Sequence, residues 1–444
     1  MSFDVREKSA SALQLEIFKK LDSLAASTSQ FPVALTLPTS VPLGWRLLSA
    51  NPQTARVVWS DRDGSERIAG IGVAHTVDLE FGGQVTNCLD RCRAILDGNT
   101  LLRFFGGFSF DGSDAWSTLG AGKFVIPRIT ISQDQLILAI MSPEDIEKAK
   151  HEIQQFCFGD AQPTAIPKPI KTRLVPEAAG WQSKVNEALS LIRAEVLEKI
   201  VLSRKTILEF DHPLDPISLT SQLENATHDC FVFCFNFSPG TSFVGATPEC
   251  LFFRHGDVLK SEVIAGTRVR GRDQKEDEQL ASELLNSDKD QREHEIVRKS
   301  IRQRLHKFVD HLEVDPEASI LRLARKQHLR SNVSATLKPN VHDGVLIERL
   351  HPTPAVGGYP TDNALREIAR IEPFNRGWYA APVGWIGCDK THFAVAIRSG
   401  LIDSNRLSLF SGAGIVRGSE PEKEWQEVQN KIQDFMSILE QGKL

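Results

Sequence analysis

Two short acidic motifs could do chemistry. One is Asp290-Gln291-Arg292-Glu293-His294; the other is Glu424-Trp425-Gln426-Glu427, followed by Lys431. Each sets two carboxylates three residues apart, in or at the start of a segment with helical apolar spacing. At 3.6 residues per turn, positions i and i+3 share a face. Two such helices facing each other would make an oxygen-rich cage, a donor set suited to Mg²⁺ rather than zinc. Lys431 adds a cation that could hold an acidic ligand. Each motif also has an ordinary reading. Asp290 and Glu293 fit as first-turn acids favoured by the helix dipole. Glu424, Glu427 and Lys431 fit as a solvated face with an i,i+4 ion pair.

Other residues invite the same two-sided reading. Lys199 heads the run Lys-Ile-Val-Leu-Ser-Arg. It is either a strand-edge charge or, in a desolvated site beside other cations, an amine able to act as a base. Glu249 follows Phe-Val-Gly-Ala-Thr-Pro (243–248) at a tight turn. It is either a turn acid facing solvent or, in apolar or acidic surroundings, a general acid. The run Ser411-Gly-Ala-Gly-Ile-Val-Arg-Gly418 misses G-x-G-x-x-G, and its helix starts late, so no dinucleotide fold is expected. Its small residues can still offer backbone N–H groups to a carboxylate. Arg398, read as lying on the strand upstream, could pair bidentately with that same group. No G-x-S-x-G, H-E-x-x-H or Walker pattern occurs.

The elements that must position these groups belong to an ordinary globular chain. Its 444 residues are 41% hydrophobic and 25% charged. The net charge of −5 leaves no basic surplus for nucleic acid. No signal-peptide core or bilayer-length apolar run is evident, so a cytoplasmic, non-membrane protein is expected. The cysteine count is seven, and Cys88/Cys92 and Cys230/Cys234 lack the second pair a zinc site needs. Free thiols in a reducing compartment follow.

Periodicity predicts a helix over 9–24, then a Pro/Ser-rich stretch to about Pro42. A hairpin around Asp63-Gly64 is expected within 56–81, a strand at 101–110 and two strands within 123–141. A helix opening at Ser142-Pro143 should run to Phe156. The Pro-rich segment 160–176 reads as a linker between halves. Beyond it come a helix (180–198) and strands at 199–210, 230–237, 241–245, 250–254 and 258–264. Helices at 276–287 and 290–312 follow, then strands at 319–323 and 330–335. The chain closes with a loop (352–360), a helix (361–370), strands at 380–387, 391–402 and 406–411, and a helix over 420–441. Short connections between neighbouring strands favour antiparallel sheets with helices outside, an α+β architecture.

Seven segments, in order between 199 and 431, resemble the chorismate-utilising, anthranilate synthase component I-like enzymes, most closely the isochorismate synthases. They are Lys199–Arg204, Phe243–Glu249, Ile264–Arg268, Ser287–His294, His351–Gly358, Arg376–Trp385, and Ser411–Val416 through Lys431. Residues 1–170 resemble the family only loosely, through Phe-Gly-Gly-Phe-Ser-Phe (105–110) and Phe124–Arg128. The resemblance implies one chorismate-binding domain over 1–444, with two large antiparallel sheets packed face to face and helices outside. Residues 177–441 would be its catalytic half, and the apparent linker an internal connection.

It also implies roles. Lys199 would activate water for attack at C2 of chorismate, and Glu249 would protonate the departing C4 hydroxyl. Glu293 and Glu427 would bind Mg²⁺ directly; Asp290 and Glu424 would act through its waters. Tyr379, Arg398, Lys431 and the backbone of Gly412, Ala413 and Gly414 would hold the substrate carboxylates. Gly266, Thr267 and Ala355 would line the pocket. Salicylate synthase, which goes on to eliminate pyruvate, is the nearest rival. Lys199 argues against anthranilate synthase and Ala265 against aminodeoxychorismate synthase, so no amidotransferase subunit is expected. A monomer or weak homodimer is. A menaquinone, phylloquinone or siderophore precursor would be the product's use.

Overall fold

The computed structural model describes residues 10–25, 30–39, 41–116, 118–159, 161, 163–323 and 325–441. Two antiparallel sheets dominate them. The first has 12 strands, in the order Val33–Pro38, Gln135–Ile140, Ile129–Ser132, Arg67–Ile71, Arg56–Ser60, Phe231–Ser238, Thr241–Thr247, Ser399–Asp403, Arg406–Val416, Lys199–Glu209 and Gly358–Tyr359. Lys171–Val175 pairs beside Lys199–Glu209. The second has 10 strands, in the order Val309–Val314, Lys326–Leu337, Val258–Val269, Cys250–His255, Lys390–Val395, Pro382–Ile386, Phe104–Phe108, Gly122–Ile126 and His75–Leu79. Ser319–Arg322 pairs with Lys326–Leu337.

The sheets meet through large side chains. Val57, Trp59 and Phe233 of the first pack with Phe105, Val383 and Trp385 of the second in one buried cluster. Helices cover the outside. Ala178–Arg193, Thr361–Ile371 and Pro421–Lys431 bury Val185, Ile368 and Val428 against Ile200, Leu202, Ala413 and Ile415 of the first sheet. Asp288–Leu305 buries Val297, Ile301 and Leu305 in the cluster that holds Leu259 and Val263 of the second. The two acidic helices therefore ride on different sheets. Packing, rather than propensity, sets how they face each other.

Residues before 170 supply strands to both sheets. Arg56–Ser60 pairs with Phe231–Ser238, and Phe104–Phe108 with Pro382–Ile386. The Pro-rich segment is bound in place: Ile166 is buried, Thr164 N–H donates to Ser218 Oγ, and Lys171–Val175 joins the first sheet. Residues 26–29, 40, 160 and 162 of the two Pro-rich stretches lie outside the described residues.

Several expected boundaries differ. The Pro/Ser-rich stretch contains a strand, Val33–Pro38, and enters a helix, Val41–Ala50. Residues 123–141 hold three strands: Gly122–Ile126 in the second sheet, and Ile129–Ser132 and Gln135–Ile140 in the first. The helix expected from Ser142 begins at Asp145. Helix 290–312 stops at Leu305, and Val309–Val314 is a strand. Its apolar spacing continues the helical pattern; pairing with the distant Lys326–Leu337 decides its state. The run 391–402 crosses between sheets, so it splits into Lys390–Val395 and Ser399–Asp403. Helix Asp343–Leu350 had no sequence expectation, and the last helix breaks at Ile432.

Candidate active site

One cavity of about 400 Å³ collects most of the singled-out residues, a size suited to a small molecule. Glu249, Gly266, Thr267, Asp290, Glu293, Ala355, Tyr379, Arg398, Gly412, Glu424, Glu427 and Lys431 all border it. Lys199, Ala413 and Gly414 do not.

Lys199 lies just beneath the wall. Its side chain is fully buried, and Nζ donates to Glu293 Oε1 at 2.8 Å. The strand alternation explains this corner. Lys199 and Val201 face one side with their partners Val416 and Gly414, while Ile200, Leu202, Ala413 and Ile415 face the outer helices. Ala413 therefore turns its methyl group away from the cavity. Gly414 is required by close approach: a Cβ there would lie 2.7 Å from Glu293 Oε1 and 3.0 Å from Lys199 Cε. Beyond Phe410 the strand Arg406–Val416 has lost its partner Ser399–Asp403. On that open edge the Gly412 carbonyl accepts from Lys431 Nζ at 2.8 Å, and Val416 N–H donates to Ser419 Oγ. Even-numbered peptide groups thus face this edge, which leaves the N–H groups of Gly412 and Gly414 pointing along it.

Glu249 sits at the turn between Thr241–Thr247 and Cys250–His255 and is 5% exposed. Burial, reinforced by Glu262, pushes its carboxyl up to about 8, against the opposing pull of Lys199 and Lys431. It is therefore predominantly protonated at neutral pH.

The four motif carboxylates share the cavity, but each holds its own cation. Asp290 pairs with Arg268 at 2.8 Å, Glu293 with Lys199 at 2.8 Å, Glu424 with Lys289 at 2.8 Å and Glu427 with Lys431 at 2.7 Å. Among the described residues no three His, Cys, Asp or Glu side chains converge as a metal site. Each motif carboxylate is thus ion-paired here. The donor chemistry of the four, carboxylate oxygens only, still fits a hard divalent cation.

The charges interlock. Burial disfavours the Glu293 anion, but Lys199 overcomes it and keeps its carboxyl below the ordinary range. Burial and Glu427 raise Glu424. Burial works against the Lys431 ammonium, yet Glu427 and Glu293 hold it charged.

Arg398 is not on a strand. It lies between Lys390–Val395 and Ser399–Asp403, with φ of 50°, where the chain changes sheet. His328, not singled out in the sequence, orients it. Arg398 Nη2 donates to His328 Nε2 at 2.8 Å, and arginine only donates. His328 must then carry its proton on Nδ1, which faces Thr267 Oγ1 at 3.0 Å and the Gly266 carbonyl at 3.2 Å. Burial, with Arg398 next, holds this imidazole well below its ordinary pKa. Gly266 has φ of 76° at a bulge, and a Cβ there would press on Asp290. His328, Lys289 and Arg268 carried no spacing signal as site residues; Lys289 and Arg268 stood only inside resemblance segments.

A family model described as "Chorismate binding enzyme" matches residues 20–440. The chain belongs to this chorismate-binding enzyme family. It is 31% identical over 407 residues to isochorismate synthase MenF of Escherichia coli, covering 90% of each chain. It is 34% identical over 349 residues to MenF of Bacillus subtilis, covering 76% of this chain and 74% of that one. It is 32% identical over 364 residues to the salicylate biosynthesis isochorismate synthase of Pseudomonas aeruginosa, covering 78% and 76%. The solved structure of the menaquinone-specific isochorismate synthase of E. coli superposes with a TM-score of 0.85 at 29% identity, covering 97% of this chain and all of that one. Family membership agrees with the α+β, two-sheet architecture and the helix-covered faces. Among the described residues, no helix is long and apolar enough to cross a membrane, and the cysteines are unbridged.

Proposed function

We propose that this chorismate-binding enzyme is an isochorismate synthase, reversibly converting chorismate to isochorismate. Water adds at C2, the ring double bonds shift and the C4 hydroxyl leaves as water, so atoms balance without another reactant. The isochorismate synthases among its relatives support this reading. The observation that carries it is the buried Glu249, its carboxyl pushed up to about 8 by burial, in a cavity underlain by the buried Lys199 side chain.

In this reading Lys199 is the base that takes a proton from the attacking water. Glu249 is the acid that protonates the leaving hydroxyl. The dianionic substrate needs cations inside an acidic cavity. Arg398 and Lys431 serve its carboxylates, helped by Tyr379 and the Gly412 and Gly414 N–H groups on the open strand edge. Gly266, Thr267 and Ala355 shape the wall. Glu293 and Glu427, with Asp290 and Glu424, would hold Mg²⁺. Bound there, Mg²⁺ would supply positive charge to offset the cavity's carboxylates and the dianionic substrate.

Purified protein given chorismate and Mg²⁺ alone should yield isochorismate, and isochorismate should return chorismate. Chromatography of the products decides it. Salicylate with pyruvate as the main products would overturn the assignment in favour of a salicylate synthase.

A further inference from the structure

We propose that Arg62 and Glu262 form a clamp that positions Glu249, and that Arg62 brings residues before 170 into the reaction. The proposal rests on Glu249 being the general acid.

The clamp grips the chain on both sides of Glu249. Arg62, from the turn between strands Arg56–Ser60 and Arg67–Ile71, donates Nη1 to the Pro248 carbonyl at 2.7 Å. The same Nη1 meets Glu262 Oε1 at 2.7 Å. Glu262 Oε1 in turn accepts the Cys250 N–H at 2.7 Å. One ion pair therefore fixes the peptide groups flanking Glu249. Val395 N–H donates to the Glu249 carbonyl at 3.0 Å, and Pro248 locks its own φ. Phe231 supports the guanidinium, 5.0 Å from ring centroid to Cζ. With the Pro248 and Glu249 carbonyls and the Cys250 N–H each hydrogen-bonded, the freedom left to Glu249 lies mainly in its side-chain torsions.

The clamp also adds charge. The charged groups acting on Glu249 are Glu262 from Val258–Val269, Lys199 from Lys199–Glu209 and Lys431 from Pro421–Lys431. Glu262 alone favours the protonated acid, second to burial. A buried ion pair serving only stability would leave the pH profile of catalysis unmoved; this one should not.

The test uses Glu262→Gln, Arg62→Met and Arg62→Lys in the full chain, with Glu249→Gln as reference. Gln at 262 keeps volume and an acceptor for Cys250 N–H but loses the charge. A general acid works only while protonated, so activity falls as pH rises through its pKa. Without the Glu262 charge Glu249 ionises at lower pH, and the alkaline limb of kcat should move down. We expect kcat at pH 8 to fall about tenfold or more in Glu262→Gln and Arg62→Met with KM for chorismate little changed, and Arg62→Lys to recover part of it. Arg62 is part-exposed, so its variants decide the matter if Glu262→Gln fails to fold. Folded variants with unchanged kcat and an unmoved limb overturn the clamp, provided Glu249→Gln is inactive. A fully active Glu249→Gln overturns the acid reading and the clamp with it.

Discussion

Gly414→Ala places one methyl group against the Lys199–Glu293 pair. Gly414 has no positive φ, so the backbone accepts alanine and the effect is purely one of space. The new Cβ would lie 2.7 Å from Glu293 Oε1, where ordinary contact begins at 3.4 Å. The carboxylate must retreat by about 0.7 Å, since the strand beneath is locked in register with Lys199–Glu209. Lys199 Cε, 3.0 Å away, must also give by a few tenths of an ångström. Both partners of the 2.8 Å ion pair must therefore leave their present positions. A misplacement near 1 Å in a catalytic group costs about 10²-fold, or about 2.7 kcal/mol of barrier. Steady-state turnover of chorismate, followed by product chromatography, should show kcat/KM lower by that order. A thermal melt should move far less, because one buried methyl group is accommodated by side-chain shifts. Wild-type kcat/KM in a correctly folded Gly414→Ala protein would refute the close-approach argument and weaken the role of Lys199.

Lys199→Ala should abolish water addition while leaving chorismate binding largely intact, measured by calorimetry beside turnover; unchanged turnover removes the proposed base. Glu293→Ala and Glu427→Ala should each lose activity together with its Mg²⁺ dependence, and full wild-type activity in EDTA would refute the metal role. Glu249→Gln should melt at a higher temperature than wild type at pH 8 and differ less at pH 4.5. The sign follows from linkage: the folded-state pKa, about 8, lies above the ordinary 4.5. Glu249's contribution is therefore most favourable below the unfolded value and is lost as pH rises toward 8. Equal melting differences at both pH values would contradict a proton held on Glu249.

The sequence by itself determined much of the site. Helical spacing placed Asp290 and Glu293 near the start of one helix and Glu424, Glu427 and Lys431 together on another; Asp290 is in the first turn, while Glu293 falls one turn further in. Lys199 does head a strand, and Glu249 lies in the two-residue connection after the strand Thr241–Thr247. These are local matters of capping, periodicity and turn chemistry, legible over a few residues. Other features needed the tertiary structure. Ala413 turns its methyl group to the outer helices by strand alternation, and because the strand is buried on both faces its sequence does not show that alternation. Arg398 left its expected strand because the chain changes sheets there, and Val309–Val314 became a strand through a partner it meets only on folding. Lys289, Arg268 and His328 meet their partners only because packing on two separate sheets brings distant segments together. The sequence carries chemical types and local geometry. Which charge faces which is decided by long-range packing, and so is the pairing of each motif carboxylate with its own cation.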